Sequence, residues 1–352
     1  MLTVKVVQVF GQQKTFNLKR RGIMEKTVRL LKYWMPIMMI SSLLFFPVMG
    51  FAGGGNQYPL GSEAFFVGAV PPPGFYIKDY VYFYTADKLM NNDRDESKVE
   101  TDGVEMRDLD VWANTLRLIY VSPIQFLGGF LGTHLFIPLV NPDETVTVAT
   151  PGGPLTISDD ETAIGNLIYN PVFWSYHSKN GLFHCVTGLD IYIPVGPYDN
   201  DDLVNIGTNF WTFEIPFAWT WFFAPNWQVG AKLMYDFNTK NDEYLVAPGV
   251  EVDRLPGQEF KFDWGLSYAF SKKDSPVQIW GGVNGYAYWQ TTDDEIDGDK
   301  VKDNKAQVFA VGPGILATYK NWVFDLHGAW EFEAKNRPEG FTGVFSVVYA
   351  FK

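Results

Sequence analysis

Seven ionisable residues fall where strict alternation turns them to one side of a sheet: His184, Asp190, Glu214, Lys232, Asp236, Lys261 and Asp263. Further along, His134, Asp325, His327 and Glu331 follow the same rule. Carboxylates and ammonium groups that converge on a confined, wet space sort solutes by charge and hydrogen bonding. Asp190, Glu214, Lys232 and Asp236 lie on three consecutive strand-like runs, so they are expected to form part of a constriction. The alternative use of the same residues is structural, with opposite charges pairing across strands to stiffen the interior. Catalysis is not expected. The chain has no Gly-x-Ser-x-Gly turn and no His-Glu-x-x-His helix. His177 and Ser178 are adjacent, and neighbours on a strand point apart, which separates base from nucleophile. No enzyme activity, cofactor or metal site is expected. Asp293–Asp299 resembles a fragment of a calcium loop, but the full spacing and a closing bidentate Glu are missing.

The elements that must carry these groups are clearest between Gly181 and Asn241. Trp211, Phe213, Ile215, Phe217, Trp219, Trp221 and Phe223 alternate with Thr212, Glu214, Pro216, Ala218, Thr220 and Phe222, and the runs before and after behave alike. One face is apolar with aromatics near both ends; the other is small, polar or charged. A tight Ala224-Pro225-Asn226 turn follows one run, and a long acidic connection, residues 196–207, precedes it. Extended alternation joined in turn by short turns and long loops defines a transmembrane β-barrel, whose greasy face meets lipid and whose polar face lines a lumen.

The pattern predicts an all-β, antiparallel barrel of about 12 strands over residues 75–352. The strands are placed at 75–89, 104–121, 127–140, 164–178, 181–195, 208–224, 226–239, 257–271, 276–291, 305–320, 321–334 and 339–351. Short periplasmic turns are expected at Ser122-Pro123, Lys179–Gly181, Ala224–Asn226, Lys272–Asp274 and Lys320-Asn321. Long outer loops are expected near 90–103, 141–163, 196–207, 240–256 and 292–304. The registers of strands 1, 2, 4 and 9 are left open. In strand 1 either Lys78 or Asp79 must face outward.

Residues 1–52 read as a signal peptide. Lys26, Arg29 and Lys32 precede an apolar run, and Gly50-Phe51-Ala52 offers small residues for cleavage; Met24 is a possible true start. Its loss would take the formal charge from −12 to −19, because the segment holds eight basic residues and one acid. Such a surface excludes nucleic acid as a partner. Residues 53–74 are rich in Gly and Pro and read as a periplasmic lead-in, or as a plug within the lumen. The single cysteine, Cys185, allows no internal disulfide.

The runs PPGFYIKDYVYFYTADKL, GLDIYIPVGPYDNDDLVNIGTNFWTFEIPFAWTW, NWQVGAKLMYDFNTKN and GQEFKFDWGLSYAF resemble the family named for the meta-pathway of phenol degradation, the SphA-like outer-membrane proteins. The resemblance covers essentially the whole chain after residue 52. It implies a barrel in the bacterial outer membrane linked with uptake of aromatic or other hydrophobic growth substrates. The C-terminal strand, ending Tyr349-Ala350-Phe351-Lys352, resembles the signal read by the outer-membrane assembly machinery.

Two functions follow as expectations. The first is a channel for passive uptake of small molecules, biased toward aromatic or hydrophobic compounds. Acidic loops would disfavour anions such as benzoate and favour neutral phenols. The second is a structural or adhesion barrel with a filled lumen, its loops binding surface partners. Expected partners are the small-molecule substrate, outer-membrane lipid and lipopolysaccharide, and the barrel assembly machinery.

Overall fold

The computed structural model describes residues 55–351 except Pro248 and Lys273, so the expected signal peptide lies outside the described residues. Twelve strands form the wall. In chain order they are β1 (Gly74–Met90), β2 (Val104–Phe126), β3 (Gly129–Val148), β4 (Leu167–His177), β5 (in two pieces, Phe183–Gly188 and Asp190–Ile193) and β6 (Thr212–Ala224). They continue as β7 (Trp227–Asn238), β8 (Glu259–Ala269), β9 (Val277–Gln290), β10 (Gln307–Tyr319), β11 (Trp322–Lys335) and β12 (Arg337–Ala350). Each pairs antiparallel with its sequence neighbours. β12 returns to β1, from Tyr76 opposite Ala350 to Met90 opposite Arg337, and closes the ring. Closure satisfies every strand edge within the wall, which a lipid environment requires.

The side-chain pattern is that of a sheet turned inside out. Phe213, Ile215, Phe217, Trp221 and Phe223 of β6 are exposed on the outer surface, while Thr212, Glu214 and Thr220 are fully buried. Aromatics mark both rims of the outer face: Phe75, Tyr120, Trp227 and Trp322 at the short-turn end, and Phe83, Trp112, Phe237 and Trp330 at the long-loop end. Such girdles place the apolar band across the outer membrane, with the short turns on the periplasmic side.

Three local features depart from the simple pattern. β5 is interrupted at Leu189 because its partner β6 carries Pro216, which has no N–H for the ladder; the Thr187 hydroxyl donates to the Pro216 carbonyl at 2.8 Å instead. The turn expected at Ser122-Pro123 lies further on. β2 continues to Phe126 through an irregularity between Val121 and Gln125, and the reversal falls at Leu127-Gly128, both with positive φ. The open register of strand 1 resolves with Lys78 inward and Asp79 outward, where Asp79 accepts from the Asn114 side chain on β2 at 3.0 Å.

The outer connections hold structure of their own. A small sheet joins Asn241–Ala247, Val250–Leu255, Glu295–Ile296 and Asp299–Lys300. Asp294, within the densest acidic run, is buried rather than solvated. It accepts from Gly257 N (2.7 Å), Gln290 Nε2 (2.7 Å), Arg254 Nη2 (2.8 Å) and Asn304 Nδ2 (3.2 Å), tying two loops together. The last outer connection is tight, turning at Asn336 with φ of 50°.

Candidate functional site

The interior charges form a connected row across β5–β8. Asp190 on β5 accepts from His134 Nε2 (2.9 Å) and Asn170 Nδ2 (2.6 Å). Glu214 on β6 accepts from the Tyr192 hydroxyl at 2.9 Å and stands 3.5 Å from both Lys232 and Lys261. Lys261 on β8 pairs with Asp236 on β7, and Glu259 lies 3.9 Å away. Opposite charges thus stand close enough to offset one another where burial would otherwise penalise them. Of the seven residues singled out from the sequence, Glu214, Lys232, Asp236 and Lys261 belong to this row, Asp190 flanks it on β5, and Asp263 stands opposite Lys232 in the register of β7 and β8. His184 lies apart: it faces inward near the periplasmic turn, its Nδ1 2.6 Å from His177 Nδ1 and its ring against Phe222. His134, Asp325, His327 and Glu331 are also buried inward, as alternation requires.

Residues 55–70 thread among these groups. Gly55 N donates to Glu259 at 2.6 Å, and the Tyr58 hydroxyl donates to Asp263 at 2.6 Å. Asp263 also accepts from Gly61 N (3.0 Å) and Glu63 N (3.1 Å). Burial, and then the charge of Asp263, push the Tyr58 hydroxyl well above the ordinary tyrosine range, so it remains a donor. Tyr58 and Leu60 pack with Met234, Tyr286, Tyr288 and Val308, and Phe65 packs with Leu316. Gly68 lies so close to the wall that a Cβ there would meet the Trp219 backbone at 2.4 Å.

Glu63 is the charged centre of this segment. It accepts from Lys78 Nζ (2.8 Å), the Tyr80 hydroxyl (2.7 Å) and Arg117 Nη1 (3.3 Å). Burial raises its pKa, but the Lys78 and Arg117 charges outweigh that and hold it at about 2. Alternation could not find this cluster. Lys78 and Arg117 stand on the strands whose register was open, and Glu63 precedes the first strand. Glu259 shares the parity of Lys261 and Asp263 within the expected strand 257–271 and was legible by the same alternation.

Three cavities follow one another through the interior. The outermost, about 380 Å³, shares Asn56, Asn205, Thr208 and Arg337 with a middle cavity of about 360 Å³. The middle cavity shares Glu63, Asp190 and Lys232 with an inner one of about 560 Å³, lined by Phe66, Phe173, Trp280 and other apolar side chains. Ser178, whose neighbour His177 raised the question of catalysis, is committed to its turn: its hydroxyl donates to Asn180 and accepts from Phe183 N.

A closed antiparallel barrel with an aromatic-girdled outer face and a charged, cavity-bearing interior defines an integral β-barrel of the bacterial outer membrane. Residues 93–347 match the family model for the MetA-pathway of phenol degradation, and the chain belongs to that family. Among solved structures, an outer membrane channel from Pseudomonas putida F1 is similar with 17% identity and a TM-score of 0.62, over 80% of this chain and 97% of that one. The transport unit of the autotransporter AIDA-I from Escherichia coli overlaps at 10% identity and a TM-score of 0.48, over 91% and 97%. A FadL homologue from Pseudomonas aeruginosa overlaps at 12% identity and a TM-score of 0.40, over 86% and 98%. No functionally curated protein matches the chain.

Proposed function

We propose that this protein is a channel through which small aromatic or hydrophobic molecules of the phenol type diffuse passively across the outer membrane. The observation that carries the reading is the series of three cavities joined by shared lining residues. Apolar and aromatic side chains dominate the walls, and the junctions carry Glu63, Asp190, Lys232 and Arg337. Family membership and the fold shared with an outer membrane channel support it. In this reading Asp190, Lys232 and the segment's Glu63 form the constriction between the middle and inner cavities. Glu214, Asp236, Lys261 and Asp263 stiffen the wall behind it. His184, at the periplasmic mouth, lines the exit.

Residues 55–73 then act as a plug that narrows the lumen, and residues 1–52 as the export signal. Lipopolysaccharide contacts the acidic loops, and the assembly machinery reads the C-terminal strand. The wall itself needs no catalytic group. The filled-lumen reading, with loops serving as a surface interaction module, is favoured by the same packing of residues 55–70 against inward groups.

Single-channel current in planar bilayers separates the two. Stepwise conductance that phenol reduces, and a small sugar does not, is the expected result. A protein that is folded by heat-dependent gel mobility yet electrically silent, and that leaves phenol flux into liposomes at background, would support the filled barrel instead.

A further inference from the structure

The middle cavity is lined by five tyrosines, Tyr58, Tyr80, Tyr82, Tyr84 and Tyr192. Every one of their hydroxyls is already directed at a protein acceptor: Asp263, Glu63, the Leu60 carbonyl, Glu331 and Glu214 in turn. The rings face the space and the hydroxyls do not. The three lining carboxylates are equally committed. Glu63 and Asp190 are bound as described, and Glu331 accepts from the hydroxyls of Tyr84 and Tyr286 and from Gly340 N, each at 2.8 Å.

The two lining cations are different. Lys232 Nζ reaches Glu214 only at 3.5 Å, and Arg337 Nη2 reaches Glu331 only at 3.5 Å. Both side chains are 13% exposed, and neither donates a hydrogen bond among the described residues. Arg337 Nε is buried without a partner, and the guanidinium lies 5.2 Å from the centre of the Tyr288 ring. A guanidinium has five N–H donors and an ammonium three. The cavity therefore holds satisfied acceptors, apolar ring faces and unsatisfied donors. Its two cations mark its two ends: Arg337 borders the outer cavity, and Lys232 the inner one.

We propose that the middle cavity binds an apolar molecule of about one-ring size that carries an oxygen acceptor. Arg337 takes the acceptor on entry, and Lys232 takes it on the way to the inner cavity. The inference rests on the channel reading and adds the substrate class. Benzene occupies an apolar cavity of about 150 Å³, so about 360 Å³ holds a ring with a short substituent. Phenolic, alcoholic, carbonyl and carboxylate oxygens qualify; an ammonium head does not, because it brings donors to a site whose acceptors are taken. The acidic loops slow the approach of anions from outside, which leaves neutral oxygen-bearing rings the easier entrants.

The test uses the exported protein in planar bilayers with benzyl alcohol, benzoate and benzylammonium, matched in ring and size. Both oxygen-bearing compounds are expected to block at concentrations about tenfold or more below benzylammonium, the worth of one charge-assisted hydrogen bond. Arg337→Gln should erase most of that difference, and Arg337→Lys only part of it. Lys232→Gln is the second variant, and heat-dependent gel mobility reports folding of each. The wild-type ranking decides without any variant. Equal block by all three compounds would overturn the proposal and leave an aromatic channel standing. Current indifferent to all three would overturn the aromatic-channel reading itself and leave a general small pore.

Discussion

At the scale of single residues, Glu63 decides how the segment before the first strand is held. Its carboxylate is the shared partner of Lys78 and Arg117, and all three are largely buried. Removing one member of a buried pair leaves the rest uncompensated, at a cost of about 3–5 kcal/mol. Glu63→Ala is therefore expected to lower the thermal unfolding midpoint in detergent and to raise conductance. An unchanged midpoint and current would show that the contact is idle. The pH dependence has a definite sign. The Glu63 pKa falls from 4.5 unfolded to about 2, so its contribution is fully present above pH 4.5 and is lost as pH falls through about 2. Acidification from pH 7 to pH 5 should not release the segment through Glu63. A rise in wild-type current over that range that Glu63→Gln abolishes would contradict this. The same residues show what the sequence could and could not carry. Asp190, Glu214, Lys232, Asp236, Lys261 and Asp263 were readable because their strands alternate cleanly. Lys78 and Arg117 were not, because either parity of strand 1 puts a charge outward. What settles the choice is a cross-strand bond from Asn114 to Asp79, a contact that local periodicity does not contain.

At the scale of elements, twelve strands and the alternation of short and long connections were legible, since period-two burial and turn residues are local signals. The places that moved are places where a distant partner overrides a local signal. Ser122-Pro123 reads as a turn, but β2 continues because β3 offers Gly129 and Phe130 as partners to Phe126 and Gln125. A run of carboxylates on an outer loop is ordinarily solvated, yet Asp294 turns inward to four donors, Arg254, Gly257, Gln290 and Asn304. Those bonds go to a charged acceptor and are each worth about 1.5–3 kcal/mol. Asp294→Ala should leave the barrel intact while loosening the loops. Limited proteolysis of the reconstituted protein should cut within 240–256 or 291–304 much faster than in wild type, with the same heat-dependent gel shift. Cleavage at the wild-type rate would mean that the small outer sheet is held by its own ladder.

At the scale of the whole molecule, the barrel has more interior polarity than its wall can satisfy alone. Asp263 receives three of its hydrogen bonds from residues 58–63, Glu259 receives one from Gly55, and Lys78 and Arg117 share a carboxylate from the same segment. The wall and residues 55–73 are thus one electrostatic unit, although the segment belongs to no strand. This arrangement makes removal of residues 55–73, with the preceding residues joined directly to Gly74, a test of the molecule rather than of one contact. Two consequences pull in opposite directions. The lumen gains the volume of the segment, so conductance should rise several-fold and discrimination between phenol and a small sugar should fall. The inward charges lose their partners, so the wall should unfold at a lower temperature, unless water entering the widened lumen hydrates them. Measuring both on one sample separates the roles. A larger current with a lower midpoint identifies the segment as plug and stabiliser together. A larger current at an unchanged midpoint identifies a plug over a self-sufficient wall. An unchanged current would mean that solutes never passed the segment, and the series of three cavities would then lose its meaning as a route.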